Sequence, residues 1–185
     1  MAFKKWFGKK EEEGNFFDPT SDYTLATMRV GYLVDFEGET FEVTGYSTFD
    51  YDGYPTEEWV LTSSDKVCYL EREDDDGKIH WTFTLNISIA DIDGDVAVSI
   101  MESEDSPETL TYNGDTYNLT DSGAGLYKEN GEGPGEEFIS WAYREDSERL
   151  VLVVTQWGER DFKAAAGMVV NEYEFTNILP KASRN

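Results

Sequence analysis

The sequence of 185 residues contains a single cysteine and a single histidine. One cysteine, Cys68, excludes an intramolecular disulfide and leaves no basis for a cysteine-ligated zinc site. One histidine, His80, leaves little for imidazole catalysis. Long apolar runs are also missing. The longest, "LVLVV" from Leu150, suits a buried strand and falls far short of the roughly 18 residues that suggest a membrane-spanning helix. No apolar stretch of about 7 to 15 residues follows the first lysines, so no secretory signal is expected.

Positive charge is scarce: 15 basic residues face 39 acidic ones, for a formal net charge of −24. Four of the basic residues lie in the opening "MAFKKWFGKK", so residues 11–185 hold 11 basic against 39 acidic side chains, a net of −28. Such a body repels nucleic acid and anionic lipid, which excludes nucleic-acid partners, and it attracts cations, polyamines and basic proteins. The expected location is the cytoplasm.

What the chain does contain is aromatic and β-rich. Aromatic residues make up 15% of the sequence and hydrophobic residues 39%, enough to drive collapse despite the charge. From Met28 onward, segments rich in Val, Tyr, Phe, Thr and Trp alternate with glycine corners at Glu37-Gly38, Asp52-Gly53, Asp76-Gly77, Asp93-Gly94, Asn113-Gly114 and Asn130-Gly131. Asn, Asp and Gly tolerate the positive φ of tight hairpin turns. A two-residue turn at Glu37-Gly38 sets Phe36 opposite Glu39, Val34 opposite Phe41 and Leu33 opposite Glu42. Tyr32, Val34, Phe36, Phe41 and Val43 then share one face. Short helices are expected only around Asp161 to Ala166 and Asn171 to Thr176.

A motif recurs: "FEGETFEVT" at Phe36 to Thr44 and "YNGDTYNLT" at Tyr112 to Thr120, the second pairing Leu110 with Tyr117. Each copy is followed by a strand bearing tryptophan, "EEWVL" with Trp59 or "ISWAY" with Trp141, and then by an apolar strand. The expected fold is all-β: two related antiparallel meanders, an internal repeat, packed as a sandwich or as fused small barrels with at most short helices. The expected limits are a leader over 1–20, a first repeat over 21–103, a second over 104–180 and a tail over 181–185, the repeats forming one cooperative domain.

In this order, "RVGYLVDFEGETFEVTGYSTF", "EEWVL", "VCYLERE" and "IHWTF", followed by "LTYNGDTYNLTDSGAGLYKENGEGPGEEFISWAYRED" and "RLVLVVTQWGERDFKAAAGMVV", the segments resemble the bacterial domain of unknown function 4178. The resemblance runs from Met28 to Pro180. It implies no established activity and no catalytic residue; it implies genomic association with phage-shock-type membrane-stress proteins and polyamine-synthase-like enzymes.

Candidate sites are few. "DIDGDVAVSIME" puts Asp91, Asp93, Asp95, Ser99 and Glu102 at calcium-loop spacing, but Val96 stands where the loop needs glycine. A hairpin turn on Asp93-Gly94 explains the same letters, and no metal site or cofactor is expected. Cys68 lies between Val67 and Tyr69 in an apolar strand and reads as an inert small hydrophobe. Trp59, Trp81, Trp141 and Trp157 fall in predicted strands and are expected in the core or on a sheet face. "GAGLYKENGEGPGEEF" reads as the longest irregular stretch of the second half. In the leader, Phe3, Trp6 and Phe7 fall at i, i+3 and i+4, an apolar edge at helical spacing, with Lys4, Lys5, Lys9 and Lys10 as a basic complement. These seven residues are the candidate contact with an anionic membrane or a protein partner. The expected function is that of a non-enzymatic cytoplasmic adaptor, peripheral at the inner membrane face, in a membrane-stress system. The alternative is a binder of small cations or polyamines.

Overall fold

The computed structural model describes residues 23–180; the leader residues Phe3, Lys4, Lys5, Trp6, Phe7, Lys9 and Lys10 lie outside them. Five strands come first: β1 (Tyr32–Phe36), β2 (Glu39–Tyr51), β3 (Tyr54–Thr62), β4 (Val67–Asp75) and β5 (Lys78–Ile87). A short helix α1 (Val96–Ser103) follows. Then come β6 (Thr109–Tyr112), β7 (Asp115–Glu129), β8 (Glu136–Glu145), β9 (Leu150–Gly158), β10 (Asp161–Val170) and β11 (Phe175–Pro180).

Local chemistry makes the hairpins. Glu37, Asp52, Asp76 and Asn113 sit at φ of 50° to 53°, each followed by a glycine at positive φ, the primed turn that matches strand twist. Across the first turn Phe36 faces Glu39, Val34 faces Phe41 and Leu33 faces Glu42; Leu110 faces Tyr117 across the turn at Asn113.

Strands β1 to β5 pair in sequence, β5 then pairs with β10, and the order returns through β9, β8 and β7 to β6, with β11 beside β1. One further pairing decides the architecture. Ser47–Asp50 of β2 pair with Leu126–Glu129 of β7, closing β2, β3, β4, β5, β10, β9, β8 and β7 into an eight-stranded antiparallel barrel. The expected sandwich or pair of fused barrels is thus replaced by one sheet that closes on itself. It closes because β2 and β7 are long enough to serve two neighbours each. The early part of β2 pairs with β1 and the late part with β7; the early part of β7 pairs with β6 and the late part with β2.

Both long strands change partner at a β-bulge, beside Thr44 and Thr120, the last residues of the recurring motif. Thr44 Oγ1 donates to the Val60 carbonyl at 3.4 Å, and Thr120 Oγ1 to the Ala142 carbonyl at 3.1 Å, each just past a strand tryptophan.

The apolar side of the wall faces outward and is covered by flaps. Trp59, Leu61, Cys68, Leu70, Trp81 and Phe83 pack under β1, the early part of β2, β11 and a 3-10 turn at Leu25–Thr27. Trp141, Tyr143, Leu152, Val154 and Ala164 pack under β6, the early part of β7 and α1. The two tryptophans pin the covers: Trp59 Nε1 donates to the Met28 carbonyl at 3.1 Å and Trp141 Nε1 to Asp105 Oδ1 at 2.9 Å. Burial of Trp59, Trp81 and Trp141 agrees with the expectation from sequence.

Four local expectations are corrected. Asp93-Gly94 leads into α1 instead of forming a hairpin, since Asp95 caps Val98 N and the i, i+4 pair Val96 and Ile100 is buried. Asp161 to Ala166 is strand, held between β5 and β9. Of "GAGLYKENGEGPGEEF", residues 123–129 extend β7 and 136–138 begin β8. The helix expected at Asn171 to Thr176 is a single 3-10 turn, Glu172–Glu174, before β11.

Candidate functional site

Because the apolar faces point out, strand alternation sends polar side chains into the barrel. Glu58 alternates with Trp59 on β3, Glu71 with Leu70 on β4, and Thr82 and Thr84 with Phe83 on β5. They line a chamber of about 290 Å³ inside the barrel. A second cavity of about 410 Å³ opens on the other side, and Tyr51, Glu71 and Ser140 belong to both.

Tyr51 and Ser140 form the partition. Their hydroxyls share a hydrogen bond of 3.1 Å, although β7 lies between their strands. Gly123 on β7 permits it, for a Cβ there would stand 2.9 Å from the Tyr51 ring. Beyond the partition Asp52, Glu73, Asp74, Asp75 and Asp121 line the second cavity, which we call the vestibule, and among the described residues no lysine or arginine does.

Glu58 and Glu71 set the electrostatics of the chamber. Ser47 Oγ donates to Glu58 Oε1 at 3.0 Å, but burial dominates and pushes that carboxyl up to about 7. Glu71 accepts no hydrogen bond and makes no ion pair among the described residues. Burial first, then the negative charges of Glu58 and Glu73, push it up to about 8; the positive charge of Arg144 offsets part of this. Burial also raises the phenols of Tyr51 and Tyr127.

Aromatic rings share the rest of the chamber wall with Asn86, Val153 and Thr155. Phe49 and Tyr127 approach to 5.1 Å between centroids, and Tyr127 meets Trp157 edge-on at 5.3 Å. Lys163 Nζ stands over the Trp157 ring, 5.1 Å from its centroid. Carboxylates among ring faces in an enclosed space are the chemistry that recognises an ammonium group. Metal binding has less support: no group of three or more His, Cys, Asp or Glu side chains is placed to hold an ion among the described residues.

Asp91, Asp93 and Asp95, the calcium-loop spacing in the sequence, lie on the approach to α1 and away from the chamber. Cys68 is wholly buried in the outer cluster, and burial raises its thiol, as suits an inert residue. Glu58 and Glu71 were hidden in the sequence. Their only signal is alternation with Trp59 and Leu70, which also describes a solvent-facing acid.

The family model described as "Domain of unknown function (DUF4178)" matches residues 29–172. The chain belongs to this family. The matched span includes every strand of the barrel together with Glu58 and Glu71, so the site sits inside the DUF4178 domain. A protein of Aquifex aeolicus (strain VF5), described as an uncharacterized protein, is 30% identical over 179 residues, covering 96% of each chain. No solved structure matches. The DUF4178 description carries no activity, and no helix among the described residues is long and apolar enough to cross a membrane.

Proposed function

We propose that this DUF4178 protein binds a small organic cation, an amine or polyamine, inside its barrel. The observation that carries the reading is Glu71, a carboxyl beside Glu58 that among the described residues accepts no hydrogen bond and makes no ion pair, in a chamber whose lining includes Phe49, Tyr127 and Trp157. An ammonium group supplies what Glu71 lacks. It replaces the proton that an enclosed carboxyl near neutrality would otherwise keep. The acidic vestibule raises the local concentration of cations at the partition.

Thermal shift with butylamine and with spermidine in 0.15 M salt tests this, since enclosed pairs are screened far less than exposed ones. A ligand at about 100 times its Kd stabilises by about 2.7 kcal/mol, which for a chain of this size raises Tm by about 5 to 10 °C. Glu71→Gln is expected to abolish the shift. A shift that vanishes in salt, or that Glu71→Gln leaves intact, would overturn the reading.

A second reading, a non-enzymatic adaptor in a membrane-stress system, is favoured by the charge division between leader and body. Here the acidic body meets a protein partner while Phe3, Trp6 and Phe7 seat in an anionic membrane beside Lys4, Lys5, Lys9 and Lys10. Removing residues 1–13 is expected to lower co-sedimentation with phosphatidylserine vesicles at least fivefold; equal sedimentation would dismiss the membrane element. In either reading β1 to β5 and β6 to β10 are two copies of one unit, an inference supported by the matched bulges at Thr44 and Thr120.

A further inference from the structure

The two sides of the chamber differ, and the difference bears on the shape of its ligand. Strands β3 and β4 contribute Glu58, Tyr69 and Glu71; β9 and β10, across from them, contribute Val153, Thr155, Trp157, Lys163 and Ala165. Register makes the contrast exact. Trp59 pairs with Leu70 as Trp141 pairs with Val154, so Glu58 and Glu71 occupy the places that Ser140 and Thr155 hold in the second run of strands. The anionic charge within the chamber is therefore one-sided. The remaining acids of the chamber, Glu136 and Asp161, are solvent-exposed residues at strand starts, where water screens them.

Lys163, over the Trp157 ring, is solvent-exposed as well, so water screens its charge as it screens Glu136 and Asp161. One further feature opposes a second ammonium in the chamber. The hydrogen bond between Tyr51 and Ser140 separates the chamber from the acidic vestibule. Beyond its carboxyls the chamber offers the polar groups of Thr82, Thr84, Asn86 and Thr155 and a ring surface made by Phe49, Tyr127 and Trp157, backed by Phe138, whose ring lies 5.7 Å from that of Trp157.

We infer that the chamber takes a primary amine with one ammonium group and a body the size of an aromatic ring, its ammonium toward Glu58 and Glu71 and its body on Phe49, Tyr127 and Trp157. The inference rests on the amine reading above and narrows it to a class. Stacking and edge contacts favour an aryl body over a linear one, because ring faces reward flat surface. A diamine is disfavoured because Glu58 and Glu71 lie side by side on one wall and the facing wall offers a second ammonium no buried carboxyl.

Calorimetric titration of the full chain in 0.15 M salt with 2-phenylethylamine, butylamine, 1,4-diaminobutane and spermidine tests the class. Phenylethylamine is expected to bind at least tenfold more tightly than butylamine, and diaminobutane more weakly than butylamine. Butylamine equal to phenylethylamine would remove the ring subsite, and spermidine as the tightest ligand would replace the single-headed class by a polycation spanning chamber and vestibule; in both cases the amine reading would survive. If no probe bound, or Glu71→Gln left all four affinities unchanged, the amine reading itself would fall and this inference with it.

Discussion

Gly167→Ala is expected to lower the melting temperature by about 6 to 12 °C. Gly167 lies in β10 opposite Thr84 of β5 and Val151 of β9, where the two runs of strands join. An added Cβ would stand 2.0 Å from the Phe83 carbonyl oxygen and 2.7 Å from Thr84 Cα. Both are backbone atoms, so no side-chain rotation relieves the contact and the seam between β5 and β10 must widen. Overpacking costs about 1 to 3 kcal/mol and occasionally more, and a backbone clash belongs at the upper end. At about 2 to 4 °C per kcal/mol for a chain of this size, about 3 kcal/mol gives the stated range. Gly158→Ala is the control, since a Cβ there meets nothing within 4 Å, and its melting temperature is expected within about 2 °C of the parent. Thermal unfolding followed by circular dichroism measures both. Equal Tm values for the two variants would show that the seam accommodates the methyl group.

The other closing seam has the same character. A Cβ on Gly125 of β7 would stand 2.4 Å from the Asp50 carbonyl oxygen of β2. Neither glycine marks itself in the sequence as a point of close approach, because the clash depends on a strand far away along the chain. This is the general division between what the chain discloses and what it conceals. The hairpins were legible since turn and alternation lie within a dozen residues: Glu37-Gly38 sets the register, and the apolar face from Tyr32 to Val43 agrees with it. The closure was not legible. It rests on Ser47–Asp50 meeting Leu126–Glu129, and no local pattern announces a partner so distant.

The same cause hid the site. Residues such as Glu58 and Glu71, alternating with buried apolar neighbours, carry the pattern of a half-exposed sheet, and only closure turns their face inward. Ala164, Ala165 and Ala166 read as helical because alanine has the highest helix propensity, yet they lie between β5 and β9. Helix α1 carries little sequence signal because few of its residues follow the helical periodicity: Val96 and Ile100 are buried, while Val98 and Met101 are exposed.

Closure also leads to the second large prediction, that stability falls as pH rises from about 4.5 to about 8. In the folded chain Glu71 is held up to about 8 and Glu58 up to about 7, against 4.5 for a solvated glutamate, in each case mainly by burial. Between those limits the native protein keeps protons that the unfolded chain has released. The slope of stability with pH is therefore negative, and it flattens above about 8, when both states are ionised. Each carboxyl is displaced by more than one tenfold step, worth about 1.4 kcal/mol apiece, so the pair accounts for at least about 3 kcal/mol, and the decline in Tm is expected to be no smaller than about 6 to 12 °C. At the acid end the sign reverses. Asp35 is held below its usual value by hydrogen bonds from Thr40 and then Asn177, so its contribution is present above about 4 and lost as pH falls further. The most stable range is thus expected near pH 5. Melting curves at pH 5, 7 and 9 for the parent and for Glu58→Gln/Glu71→Gln separate this effect from the mutual repulsion of a chain with net charge −24, which the variant leaves almost unchanged. The double variant should lose most of the decline between pH 5 and 9, and parallel profiles would mean that the two carboxyls titrate as solvated ones. An amine bound in the chamber should restore the parent's stability chiefly above pH 7, because it stabilises the ionised pair that the empty barrel holds at a cost.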